Sequence, residues 1–111
     1  MFEDIAQFAQ ELAIEAGCLI AEHRQKGSVR HNYKDQQELV TSADIAADKL
    51  IIDRIQATYP DHRILSEETY TDKSLIKDLS SPIWIIDPID GTVNYAHGHH
   101  MVAISIAFAC E

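Results

Sequence analysis

Apolar residues recur at every third or fourth position near the start of the chain: Ile5, Phe8, Leu12, Ala16 and Leu19, with Ile14 and Ile20 close to the same stripe. That period predicts an amphipathic helix over residues 3–25. Glu3 and Asp4 complement its N-terminus, His23, Arg24 and Lys26 suit its end, and Gly27 supplies a stop. Gly17 weakens the middle of such a helix by about 1 kcal/mol relative to Ala, and its lack of a side chain would permit close packing. Residues 28–40 are polar and mixed in sign, and Val29, His31 and Tyr33 alternate there as in an edge strand or hairpin arm. Thr41 or Ser42 then offers an N-cap to a second helix over about 43–57, carrying Ala47, Leu50, Ile51, Ile52 and Ile55. Tyr59-Pro60-Asp61-His62 ends it.

The period then shortens. Ile64-Leu65 predicts a brief strand running into Glu67-Glu68, and residues 69–81 a polar loop with one helical turn around Leu75, Ile76 and Leu79. Ile83 to Ile86 form an apolar run rich in β-branched residues with Pro82 at its start, which predicts a buried strand ending at Asp87. Pro88 disfavours the helical region for Asp87, and Asp90-Gly91 completes a tight acidic turn at the carboxyl end of that strand. Open α/β sheets commonly place ligands at such ends. Residues 96–100 connect to a last element in which larger residues (Val102, Ile104, Ile106, Phe108, Cys110) alternate with smaller ones (Ala103, Ser105, Ala107, Ala109). Period two predicts a strand, its small residues facing a closely packed helix. The elements add up to an α/β fold of the layered α+β kind: two N-terminal helices on a largely antiparallel sheet.

Composition narrows the picture. The 111 residues suffice for one small domain, and 46% hydrophobic with 24% charged residues is ordinary for a folded chain. A formal net charge of −9 argues against nucleic acid as a partner. An acidic chain can still take a phosphorylated small molecule where cations or backbone N–H groups invert the local field. Cys18 and Cys110 fit no metal spacing and predict buried thiols, which suits a reducing cytoplasm. No stretch approaches the roughly 20 apolar residues of a membrane span. The acidic N-terminus does not resemble a secretory signal.

Carboxylates stand at the element boundaries: Asp44 at a helix start, Glu67 and Glu68 after one strand, Asp87 and Asp90 after another. Singly, each has a bland reading as a cap or a solvated turn. Gathered together they would repel one another unless a cation neutralised them, and oxygen donors suit Mg²⁺, Mn²⁺ or Ca²⁺. A pair of such ions about 3.5–4 Å apart can clamp a phosphate and acidify a bound water. Two rivals fail on spacing. An aspartyl-phosphate route of the haloacid-dehalogenase type needs two Asp separated by one residue, whereas Pro88 and Ile89 both separate Asp87 from Asp90. A calcium-binding EF-hand loop needs Glu at its twelfth position, which counted from Asp87 is Gly98. His97, His99 and His100 lack the partners of a zinc site and read as a polar loop.

Trp84-Ile85-Ile86-Asp87-Pro88-Ile89-Asp90-Gly91-Thr92 resembles the signature of the inositol monophosphatase family, metal-dependent and lithium-sensitive phosphatases. Leu39-Val40-Thr41-Ser42-Ala43-Asp44 resembles that family's first acidic motif, Leu65-Ser66-Glu67-Glu68 its Glu-Glu motif, and Val102 to Ala107 the strand after the signature. The resemblance implies that Glu67, Asp87 and the backbone carbonyl of Ile89 hold a first Mg²⁺, for which Mn²⁺ could substitute, and that Asp87 and Asp90 hold a second. It implies that Thr92, paired with Asp44, orients and deprotonates the attacking water, and that the N–H groups of Gly91 and Thr92 cradle the phosphate. Glu68 would sit just behind the ligands and Lys34 near the entrance. The implied reaction is in-line hydrolysis of a phosphate monoester without a phosphoenzyme. Its substrate would be an inositol phosphate or a related sugar or nucleotide phosphate. Val93-Asn94-Tyr95 sides with the inositol phosphatases rather than the phosphoadenosine branch, and His97 to His100 replace a segment where relatives carry Pro and Phe.

The family's chains are longer, and their second half supplies a further Asp ligand and most substrate contacts. Residues 1–111 are therefore expected to be the N-terminal portion of a single domain whose C-terminal half is absent, binding a divalent ion weakly and turning over little. Homodimers are expected from the family. The alternative from another class is an inactive scaffold or dimerisation module of the same fold.

Overall fold

Leu12, Ala16 and Ile20 fall at four-residue intervals and are all buried, the core-facing stripe of helix α1, Glu3–Gln25. Ile14 and Cys18 each lie two residues beyond a stripe position, about 200° around the helix. Ile14 is accordingly 65% exposed and Cys18 is exposed too, while Cys110 is half-buried. The expectation of two buried thiols is thus corrected. The structure is a computed structural model that describes residues 2–25, 31–33, 39–90 and 103–111, with side chains over 2–23, 42–87 and 104–111. The expected stop at Gly27 lies outside the described residues.

After α1 come two short strands, β1 (His31–Tyr33) and β2 (Leu39–Thr41), which pair antiparallel as the hairpin the alternation anticipated. Helix α2 spans Ser42–Thr58 and buries Ala43, Ala47, Ile51, Ile52 and Ile55. Pro60 lies just past its end, where the chain turns. β3 (Arg63–Ser66) is followed by a loop with a 3-10 turn at Lys73–Lys77, and then by β4 (Ile83–Asp90) and β5 (Ala103–Ala109). The sheet order is β3-β4-β5, with β3 parallel to β4 and β5 antiparallel to it. The sheet is therefore mixed. No described helix is long and apolar enough to cross a membrane.

β4 continues past Asp87 to Asp90, where a turn was expected. Its pairing with β5 slips between Asp87 and Asp90. Pro88 lies inside that slip, where its missing N–H costs no ladder bond.

Alternation assigns the two faces of the sheet. Ile64, Trp84, Ile86, Ile104, Ile106 and Phe108 pack with Leu12, Ala16, Ile51 and Ile55 of the helices. The large residues of β5 thus face the helices, while Ser105 and Ala107 are exposed; the expected orientation of the small set is corrected. Branched side chains bury more apolar area than methyl groups do, so the larger set faces the core. Trp84 is fully buried, edge-on to Phe8 and Phe108 at 5.6 and 5.0 Å between ring centroids, and its indole N–H donates to His62 Nδ1 at 3.0 Å. Tyr59 stacks on His62, its ring 4.7 Å from the imidazole and nearly parallel to it. A two-pronged ion pair from Arg54 to Glu15 ties α2 to α1 at the surface.

The opposite face is closed only in part. Arg63 sends its guanidinium to the carbonyls of Leu75, Asp78 and Ser81, drawing the 69–82 loop over the sheet beside Ile83. Towards the carboxyl end of β3 the same loop and the sheet leave an open cavity between them.

Candidate functional site

Ser66 of β3 pairs with Ile86 of β4, so Glu67 and Asp87 are the next residues on two parallel neighbours. Paired parallel strands lie about 4.8 Å apart, so Glu67 leaves β3 beside the stretch of β4 that carries Asp87. Both line an open cavity of about 380 Å³, together with Leu65 and Ile85 from the sheet, Ser105 from β5, and Thr71, Lys73 and Ile76 from the loop above. Glu67 is exposed and Asp87 half-buried. Lys73 is the cationic side chain of that lining.

The position of Glu67 has a local cause. Ser66 is buried, and its Oγ accepts from the N–H groups of Thr69 and Tyr70, each at 3.0 Å. The Ser66 N–H donates to the Tyr70 carbonyl at 2.7 Å. The chain therefore turns tightly as the strand ends, with exposed Glu67 and half-buried Glu68 on the turn. Farther along the loop, the Ser74 hydroxyl and N–H hold the Asp72 carboxyl below the usual carboxylate range, and Ser80 does the same for Asp78.

Asp44 lies in the first turn of α2 and is 2% exposed. A carboxylate there is favoured by the N-terminal end of the helix dipole. It is not among the residues that line the cavity. One turn on, Asp48 is buried as well and accepts a hydrogen bond from the Thr69 hydroxyl, so α2 grips the loop that carries Glu67.

The structure thus brings Glu67 and Asp87 together and links the helix of Asp44 to them through Asp48. Ile89 and Asp90 are placed as backbone in β4, their side chains outside the description. Gly91, Thr92, Val93 to Tyr95, the histidines at 97, 99 and 100, and Lys34 lie outside the described residues. Among the described residues, no three His, Cys, Asp or Glu side chains converge closely enough to hold a metal ion. Two acidic oxygen donors in one cavity, continued by Asp90 on the same strand, still form a donor set suited to a hard divalent cation.

Sequence reasoning passed over Asp48, Ser66, Thr69 and Lys73. The signal for Asp48 was present: it falls four residues after Asp44, on the stripe of Ala47, Ile51 and Ile55. A carboxylate among buried positions needs a partner. Ser66 alternates with buried Ile64 and so belongs to the core face.

Helices on one face of the sheet, and on the other an open cavity with Glu67 and Asp87 in its lining, define an α/β protein of layered architecture. Residues 1–111 match the sequence profile of the Inositol monophosphatase family, and the chain belongs to that family. It is 42% identical over 103 residues to the inositol-1-monophosphatase of Bacillus subtilis, covering 93% of this chain and 38% of that protein. The IMPase of Thermotoga maritima superposes with a TM-score of 0.80 at 34% identity, covering 96% of this chain and 40% of that one. SaIMPase-II with inositol monophosphate bound superposes at 0.77 with 33% identity, covering 99% and 37%. The chain therefore spans about two fifths of the length of the relatives it matches.

Proposed function

We propose that the chain forms the metal-binding part of a Mg²⁺-dependent phosphomonoesterase of the inositol monophosphatase type. The observation that carries this reading is that Glu67, just past the end of β3, and Asp87, on the parallel neighbour β4, line one cavity. Glu67, Asp87 and the Ile89 carbonyl would hold one Mg²⁺ or Mn²⁺, and Asp87 and Asp90 would contribute to a second. When bound, such ions neutralise the carboxylates, polarise the phosphate and make a water acidic enough to attack. Thr92, paired with Asp44, would orient the attacking water and accept its proton. The N–H groups of Gly91 and Thr92 hold the phosphate oxygens, and Glu68 supports Glu67 from behind.

The substrate is a small phosphate monoester, an inositol phosphate or a sugar or nucleotide phosphate. SaIMPase-II, a relative, has been solved with inositol monophosphate and with 2'AMP bound, which supports that range. Lithium sensitivity, a cytoplasmic setting and a homodimer belong to the same reading. Turnover depends on residues beyond these 111, and the chain alone binds the ion weakly.

Titration calorimetry tests the ligand assignment. Mg²⁺ and Mn²⁺ should bind the 111-residue chain and should fail to bind Asp87→Asn. Equal binding by the two proteins, or none by the parent, would leave the inactive-scaffold reading standing instead. Vigorous Mg²⁺-dependent phosphatase activity from the chain alone would refute the dependence on further residues.

A further inference from the structure

We infer that Asp48 and Thr69 are positioning residues that fix helix α2 against the Glu67 loop, holding Asp44 and Glu67 in one spatial relation; the inference rests on the metal reading above. Asp48 lies one helical turn after Asp44, and both carboxylates are buried. Residues four apart share a helix face, so whatever fixes Asp48 also fixes the rotation of the turn that carries Asp44. Asp48 Oδ2 accepts from the Thr69 hydroxyl. A hydrogen bond to a carboxylate is stronger and shorter than one between neutral groups.

Thr69 is tied in turn to the strand end. Its N–H donates to Ser66 Oγ at 3.0 Å, as does that of Tyr70. Thr69 thus binds the helix with its side chain and the strand end with its backbone. Glu67 lies between the two anchors, one residue after Ser66 and two before Thr69. Without the Thr69 hydroxyl the loop keeps its Ser66 bonds and the Gln56–Tyr70 hydrogen bond to the far end of α2. It loses its tie to the turn that carries Asp48, and Glu67 can shift relative to Asp44. Metal ligands demand close placement; a group bonded directly to a ligand is worth about 10–100-fold in affinity, and Thr69, one step removed from Glu67, is expected at the low end of that range.

Thr69→Val removes the hydroxyl and keeps the shape, and Thr69→Ser keeps the hydroxyl. T69V deprives the buried Asp48 carboxylate of the Thr69 hydrogen bond and should melt roughly 4–8 °C below the parent, T69S within about 3 °C of it. Titrations are therefore made well below both transitions. Calorimetric titration with Mn²⁺ should show affinity about tenfold lower for T69V, and parental affinity for T69S. Amide exchange in the metal-free T69V protein should be faster at residues 67–70 than in the parent. Affinity within about twofold of the parent for T69V, with Asp87→Asn losing binding, overturns the positioning role alone. Binding unaffected by Asp87→Asn overturns the ligand assignment and this inference with it.

Discussion

The two faces of the three-stranded sheet differ in what they spend their side chains on. The helix-facing side carries Ile64, Trp84, Ile86, Ile106 and Phe108, packed with the buried stripes of α1 and α2. The other side carries Leu65, Glu67, Ile85, Asp87 and Ser105 around a cavity. One strand serves both: in β4, Ile86 is buried and half-buried Ile85 opens on the cavity. Alternation lets a single short strand contribute to a core and a site at once, because neighbouring residues never compete for the same space. A site built this way inherits its rigidity from the packed face behind it.

Adjacent residues give the sharpest test of that contrast. Ile86→Ala should cost about 2–5 kcal/mol in urea unfolding, the price of a cavity in a packed core. Ile85→Ala should cost less than about half as much, since its side chain already meets open space. Equal losses would mean that the two faces are packed alike, and the comparison would break.

A smaller effect concerns how tightly the helices press on the packed face. A Cβ at Gly17 would stand 3.8 Å from Ile104 Cδ1, an ordinary contact distance. The close packing expected of Gly17 is therefore not what its lack of a side chain serves within this chain. Gly17→Ala should raise stability by about 0.5–1 kcal/mol, read as a higher urea midpoint with an unchanged slope. A lower midpoint would show that α1 sits closer to β5 than this contact indicates.

The smallest effect lies at the surface, outside both faces. The hydrogen bond from Arg54, aided by its charge, holds the Glu15 carboxyl below its ordinary value. A group whose folded pKa is lowered contributes stability above its unfolded value and loses it as pH falls through the folded one. The melting temperature should therefore drop on acidification through the carboxylate range, and Glu15→Gln should flatten a small part of that drop. An identical acid profile for the variant would show that the pair adds nothing, as many exposed ion pairs do.

Much of this molecule was legible in residue order. The stripe from Ile5 to Ile20 specified α1 to its observed ends, Glu3 and Gln25, and the run from Ala47 to Ile55 specified α2. Ile64-Leu65 and Ile83 to Ile86 marked strands, and alternation from Val102 to Cys110 marked β5, observed over Ala103–Ala109. Three acidic motifs in order pointed to the family that residues 1–111 match. Where reading by position failed, the cause was a neighbour distant in sequence. Cys18 is apolar enough for a core but lies on the wrong side of α1. The small residues of β5 look like a helix-packing surface until the helices are seen to cover Ile104, Ile106 and Phe108 instead. Asp90 looks like part of a turn until β5 extends the strand to it.

What the sequence determined by itself is periodic and local: which segments are helices or strands, and which side chains are chemically able to bind a cation. Those properties follow from 3.6- and two-residue repeats and from side-chain type, and they need no partner. Only the tertiary structure decided that β3 pairs with β4 in parallel, that Glu67 and Asp87 line one cavity, and that Asp48 reaches Thr69. Each of these joins residues about 20 apart in the chain. Their meeting depends on how the whole core packs, which no local pattern encodes.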